Sequence, residues 1–87
     1  MFENLYKKID LHGEYSGSAE VMIKEFITDS YNYGDKTVRI IHGISGGTLK
    51  NLTHKILKND KRVESFKLEM GNPGATIVRW KISKKIW

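Results

Sequence analysis

Residues 36–57 read KTVRIIHGISGGTLKNLTHKIL, and this stretch decides the fold. Its first part, Lys36 to His42, is short and β-branched, which favours a strand. Gly43 to Gly47 form a glycine-rich loop. Beyond it Leu49, Leu52, Ile56 and Leu57 recur at helical spacing, and the pattern ends at Asn59-Asp60. A strand that turns through glycines straight into a helix is half of a βα crossover. The rest of the chain supplies what such a unit needs on either side.

Upstream, Tyr6 to His12 alternate, with Ile9 and Leu11 on one face and Lys8, Asp10 and His12 on the other. Gly13 opens a polar turn, and Ser16 or Ser18 offers a cap for a helix. That helix carries Ala19, Met22, Ile23, Phe26, Ile27 and then Ser30 or Tyr31 on one stripe, with Gly34 as its left-handed stop. Downstream, Val63 to Met70 is a strand expected to turn Phe66, Leu68 and Met70 inward. Ala75 to Ile82 is another, with Thr76, Val78, Trp80 and Ile82 inward. Gly71-Asn72-Pro73-Gly74 has the chemistry of the turn between them. The tail from Ser83 to Trp87 is too short to classify.

The order is therefore βαβαββ. Right-handed crossovers make the first three strands parallel, and two crossovers stepping in one direction place both helices on one face. The expected fold is α+β, an α/β two-layer sandwich on a mixed four-stranded sheet whose other face is bare. The chain of 87 residues is read as a single domain, 1–87, with its core at about 6–82. There are no repeats, low-complexity segments or linkers. Cysteine is absent, which excludes disulfides, thiolate metal sites and a cysteine nucleophile. No apolar run approaches the ~20 residues of a membrane helix, and MFENLYKK is no signal peptide, so no membrane partner is expected and the cytoplasm is the default compartment.

Charge is unevenly spread. The formal net charge is +5; residues 1–44 hold five basic and seven acidic side chains, whereas residues 45–87 hold ten basic and three acidic. A basic half points to a polyanionic partner, nucleic acid being the commonest, with a solvated lysine-rich surface as the plainer reading. Arg39, Lys67, Arg79 and Lys81 fall on outward strand positions and could form a track for a nucleic-acid backbone. Tyr6, Tyr15, Tyr33 and Trp87 are candidates for base stacking, although scattered aromatics are more often packing residues. Trp80 alternates with the core. His54 falls on the polar side of its helix and reads as surface.

With parallel strands, the carboxyl ends of the first three share one edge, where ligands usually bind. Asp10, His12 and Gly13 end the first strand; His42, Gly43, Ser45, Gly46 and Gly47 end the second; Asn72 and Gly74 follow the third. The glycine loop opens a helix, so its amides and the positive helix end suit a phosphate, with Lys50 adding charge. It is no P-loop, because GISGGTLK lacks the Gly-Lys-Ser/Thr ending. Asp10 and His12, two apart on a strand, project to one side, a pairing suited to acid–base work, and His42 could supply a second proton-transfer group. One Asp and two His could alternatively hold a divalent metal. Each residue also has a plainer reading: His12 as an exposed strand residue, and His42, whose parity points inward, as a packed histidine bonded to a loop carbonyl.

Three motifs carry a resemblance: Ile-Asp-Leu-His-Gly at 9–13, Ile-Ile-His-Gly before the glycine loop at 40–43, and Gly-x-x-Gly-Ala-Thr at 71–76. In that order and spacing the chain resembles the Smr (small MutS-related) domain. The resemblance implies a fold like the C-terminal domain of translation initiation factor 3, and endonuclease activity. Smr domains nick DNA or cut RNA, including messenger RNA on ribosomes, and occur alone or at the C-terminus of MutS-like ATPases. Implied partners are therefore DNA or RNA, a ribosome-associated substrate among them, and a MutS-like ATPase in the same or a partner chain. Carried over by position, Asp10, His12 and His42 are the catalytic set, and Gly43 and Gly47 match the second motif's glycines. Ser45 and Asn72 stand where glycines are usual. No cofactor is certain. An RNA substrate supplies its own 2′-hydroxyl nucleophile, while a DNA substrate would bring in a divalent ion, Mg or Mn. The alternative function is a nucleic-acid- or ribosome-binding module without cleavage.

Overall fold

The computed structural model describes residues 6–44 and 46–81; Ser45, Ile82 and Trp87, all named in the sequence reading, lie outside the described residues. Within them the elements run β1 (Lys7–Asp10), α1 (Ser16–Tyr33), β2 (Thr37–Ile41), α2 (Thr48–Lys58), β3 (Val63–Glu69) and β4 (Asn72–Trp80). The fold is α+β in the order βαβαββ. β1 pairs parallel with β2, and β4 runs antiparallel to both β2 and β3, giving the sheet order β1-β2-β4-β3. The first three strands thus share a direction.

One core explains the layering. Val38, Ile40, Val78 and Trp80 from the sheet pack with Ala19, Ile23, Phe26 and Ile27 of α1 and Leu57 of α2. These sheet residues all have the same parity, so both helices lie on one face, and no other described element covers the opposite one. Leu11, just past β1, is also fully buried. Burial of a Leu or Ile contributes roughly 1.5–3 kcal/mol, so this single cluster dominates stability in so short a chain. Trp80 meets Tyr31 edge-to-face at 6.1 Å.

Local chemistry sets the element ends. α1 stops at Gly34, whose φ of 96° places it in the left-handed region, and its amide reaches back to Ser30 O and Tyr31 O. Its start differs from expectation: Tyr15 is the N-cap and makes no side-chain cap bond. Ser16 is already helical, and the Ser18 hydroxyl donates instead to Tyr15 O and Glu14 Oε1.

The last hairpin is also displaced. Glu69 pairs with Asn72, so the connecting residues are Met70 and Gly71 and not residues 71–74. Asn72 stays in the strand because its side chain is occupied there: Oδ1 accepts from the Gly74 amide at 3.1 Å and Nδ2 donates to Glu69 Oε1 at 3.3 Å. The register then skips between Leu68↔Thr76 and Glu69↔Asn72, and residues 73–75 bulge from the pairing with β3. This corrects two inward assignments. Met70 is in the turn and 93% exposed, and Leu68, on the edge strand beside the bulge, is 37% exposed. Phe66 does pack against the core.

Candidate active site at the glycine-loop rim

The carboxyl ends of β1 and β2 and the start of β4 meet at one edge of the sheet. The amides of His42 and Gly43 both donate to Gly74 O, at 2.8 and 2.9 Å. Gly74 allows this approach because it has no side chain: a Cβ there would lie 3.2 Å from Ile44 Cγ2 and 3.4 Å from the Gly43 carbonyl carbon. The β1 end joins the same rim, since Leu11 N donates to Ile41 O at 2.7 Å. A Cβ built on Gly43 would sit 3.6 Å from His12 Cδ2, so the His12 ring lies over the glycine turn.

Gly43, Gly46 and Gly47 all have positive φ, at 83°, 75° and 75°. Gly47 is the N-cap of α2 in the left-handed conformation, and as glycine it brings no side chain to the first-turn amides. That turn contains no acidic residue, so its positive end is not neutralised from within. Lys50, half-buried, belongs to it. Gly13 is exposed beside His12.

Asp10 and His12 are both exposed, but the carboxylate does not hold the imidazole. Asp10 Oδ1 accepts the backbone amide of His12 at 2.9 Å. The contact orients the turn that carries His12 and leaves the ring free.

His42 is different. It is only 3% exposed, and both ring nitrogens are engaged inside the protein: Nδ1 lies 3.0 Å from Gly43 O and Nε2 lies 2.8 Å from Thr76 Oγ1. A packed histidine bonded to a loop carbonyl is what the inward parity of β2 dictates, because Val38 and Ile40 on the same face are fully buried. His42 therefore sits beneath the glycine turn while His12 sits on top of it. Among the described residues no three His, Asp or Glu side chains converge as metal ligands, so Asp10, His12 and His42 do not fit a protein-held metal.

His54 corrects the sequence reading. It is half-buried, with Nε2 2.8 Å from Thr76 Oγ1 and its ring 5.9 Å from that of His42 and 5.0 Å from that of Phe66. Burial, then the nearby charge of His42, then that of Lys50, hold its pKa below the ordinary value of 6.5. The signal was available: His54 is three residues before Leu57, the most buried leucine of α2, and so shares its face.

On the sheet face opposite the helices, pairing aligns Lys8, Arg39, Ile77 and Lys67 in one row, with Arg79 in the next. Lys8, Lys67, Arg79 and Lys81 are exposed. Lys8 was not singled out from the sequence, although its alternation with Ile9 places it there. Arg39 departs from the expected free track: its Nε donates to Glu69 Oε1 at 2.9 Å in a largely buried pair, so its charge is already matched. Tyr15 and Tyr33 are 85% and 80% exposed. Lys7 Nζ lies 5.2 Å from the centre of the Tyr33 ring, a cation–π contact.

Comparison with known proteins follows the same residues. The family model described as Smr domain matches residues 9–81. The chain is 34% identical over 74 residues to Endonuclease MutS2 of Pelotomaculum thermopropionicum, covering 82% of this chain and 9% of that protein. It is 37% identical over 78 residues to Endonuclease MutS2 of Thermotoga petrophila, covering 86% and 10%. It thus spans about a tenth of the length of these relatives. The crystal structure of the Smr domain of Thermus thermophilus MutS2 superposes with a TM-score of 0.83 at 30% identity, over 87% of this chain and 99% of that one. YdaL, a stand-alone small MutS-related protein from Escherichia coli, gives 0.76 at 19% identity over 94% and 72%, a likeness of fold.

Proposed function

The chain belongs to the Smr domain family, and on that premise we propose that it is an endonuclease that cuts RNA at the glycine-loop rim. The observation that carries this reading is the exposed His12 ring lying over the Gly43 turn, beside the uncapped start of α2. A phosphate seated on the loop amides of Gly46, Gly47 and the first turn of α2 would have that imidazole next to it.

RNA is favoured because its 2′-hydroxyl supplies the nucleophile, so that one exposed imidazole at the rim has a proton to take. His12 takes the proton of the 2′-hydroxyl as that oxygen bonds to phosphorus. The bond to the 5′-oxygen breaks, and the leaving oxygen takes a proton from solvent. The products are a 2′,3′-cyclic phosphate and a 5′-hydroxyl. The loop amides stabilise charge on the phosphoryl oxygens as it develops. Asp10 positions the His12 turn through the His12 amide. His42 and Gly74 brace the loop from below. Asn72 orders Gly74, and Lys50 adds positive charge at the cradle. Lys8, Lys67, Arg79 and Lys81 would guide the backbone across the open face, with Arg39 held in the same row by Glu69.

The test incubates single-stranded RNA and supercoiled DNA with wild type and His12→Ala, with and without chelator. Cyclic-phosphate ends formed in chelator, and absent with His12→Ala, are the expected result. Cleavage that needs metal and leaves 5′-phosphates overturns it. A second reading, a binding module that does not cut, is favoured by one feature: with His42 buried, only one imidazole is exposed at the rim. Salt-sensitive binding without products would select that reading.

A further inference from the structure

Thr76 is fully buried, and its hydroxyl stands between two imidazoles, 2.8 Å from His42 Nε2 and 2.8 Å from His54 Nε2. A hydroxyl has one proton, so it can donate to only one of the two rings. The other end of His42 decides which. Its Nδ1 faces Gly43 O at 3.0 Å, and a carbonyl only accepts, so Nδ1 carries a proton. In a neutral imidazole a proton on Nδ1 leaves Nε2 as a lone pair. Thr76 must then donate to His42, and its oxygen must accept the Nε2 proton of His54. Every donor in the chain has one acceptor.

The surroundings favour an uncharged His54. His54 packs against Phe66 of β3, and the charged or titratable groups near it are His42 at the end of β2 and Lys50 on its own helix. Burial is the largest of the influences that lower the His54 pKa, and it favours the uncharged ring.

We propose that His54, Thr76 and His42 form one directional hydrogen-bonded chain that ends on the Gly43 carbonyl and sets the shape of the turn beneath His12. His54 and Thr76 are then positioning residues. They touch no substrate; they fix the His42 tautomer, and His42 fixes the loop. The role of the chain in cleavage rests on the proposed nuclease reading, whereas its hydrogen-bond order does not.

Nitrogen-15 NMR of the histidine rings of the full chain at neutral pH tests the order directly. The expected result is opposite tautomers: His42 protonated on Nδ1 and His54 on Nε2. Both rings protonated on Nε2, or a tautomer mixture at His42, overturns the proposal. The positioning role is tested with Thr76→Val, which keeps the shape and removes the hydroxyl, and with Thr76→Ser, which restores it. Thr76→Val is expected to shift the Gly43 amide resonance and to raise KM for RNA by more than it lowers kcat, and Thr76→Ser to reverse both. An unchanged Gly43 amide in Thr76→Val overturns it. Should Thr76→Val not fold, His54→Phe is read instead: with the donor behind it gone, the Thr76 hydroxyl can turn, and faster exchange of the Gly43 amide is expected. Unaltered exchange counts against the proposal. Opposite tautomers in a protein that neither binds nor cuts RNA would leave this inference standing and remove the nuclease reading alone.

Discussion

Replacing His12 by alanine and replacing His42 by alanine should fail in different ways. His12 is exposed, so His12→Ala is expected to hold stability within about 0.5 kcal/mol while reducing cleavage ~10²–10⁴-fold, the usual weight of a general base. His42→Ala takes from the buried Thr76 hydroxyl the acceptor of its proton and from the Gly43 carbonyl its ring donor, which costs roughly 1–3 kcal/mol for a buried group left unsatisfied. Urea denaturation read beside cleavage rate separates the two. The exposure of His12 and the burial of His42 were both legible from strand parity, because a strand shows alternate residues to opposite faces. The partner of the Asp10 carboxylate was not, since parity gives a side and cannot tell a ring nitrogen from a backbone amide. The position of His54 was legible only from its spacing of three to Leu57, a signal the apolar stripe masked. The stripe Leu49, Leu52, Ile56 and Leu57 suggested one apolar face, yet the helix buries Thr53 and Leu57 most deeply, which turns His54 toward Thr76.

Glycines divide by element into those that end a structure and those that build the rim. Gly34→Ala places a Cβ in the left-handed region at the end of α1 and is expected to cost about 1–2 kcal/mol with cleavage unchanged. Gly47→Ala meets a similar backbone penalty at the start of α2, φ 75°, but should also weaken RNA binding, because the turn it caps is part of the phosphate cradle. Chemical denaturation and RNA titration of the two variants check the contrast. Helix stops of this kind are local, so Gly34 could be read from the sequence alone. The last hairpin could not. Asn-Pro-Gly is a strong turn signal, yet the Glu69 carboxylate, shared by Arg39 and the Asn72 amide, holds Asn72 in the strand. A contact between residues thirty positions apart overruled the nearest-neighbour rule.

At the scale of the molecule, two titrations act on stability in separate pH windows. His54 has a folded pKa below its ordinary 6.5, so the unfolded chain takes the proton first and stability falls as pH drops from about 6.5 toward the folded value. His54→Gln should flatten that part of the profile. Asp60, held below 3.8 mainly by its hydrogen bond to Arg62, contributes stability above that value and loses it at lower pH. Thermal melts of both proteins between pH 7 and pH 5 isolate the histidine. Salt tests the open face: Lys67→Gln with Arg79→Gln is expected to weaken RNA binding and to reduce its salt slope by up to ~2 if each cation meets a phosphate. That one sheet face carries no helix among the described residues followed from element order alone. The neutralised arginine within it did not, because charge counts do not reveal ion pairs.

The sheet order has a consequence for how the domain comes into being. β4 is the last of the described strands, yet it lies inside the sheet between β2 and β3. During synthesis the growing polypeptide can form its first βαβ unit and still present an open ladder along β2, and only when residues 72–80 have left the ribosome can that seam be closed. The rim depends on the same late step, since Gly74, which clasps His42 and Gly43, arrives with β4. A ribosome halted before that point holds a nascent chain in which the loop has no clasp.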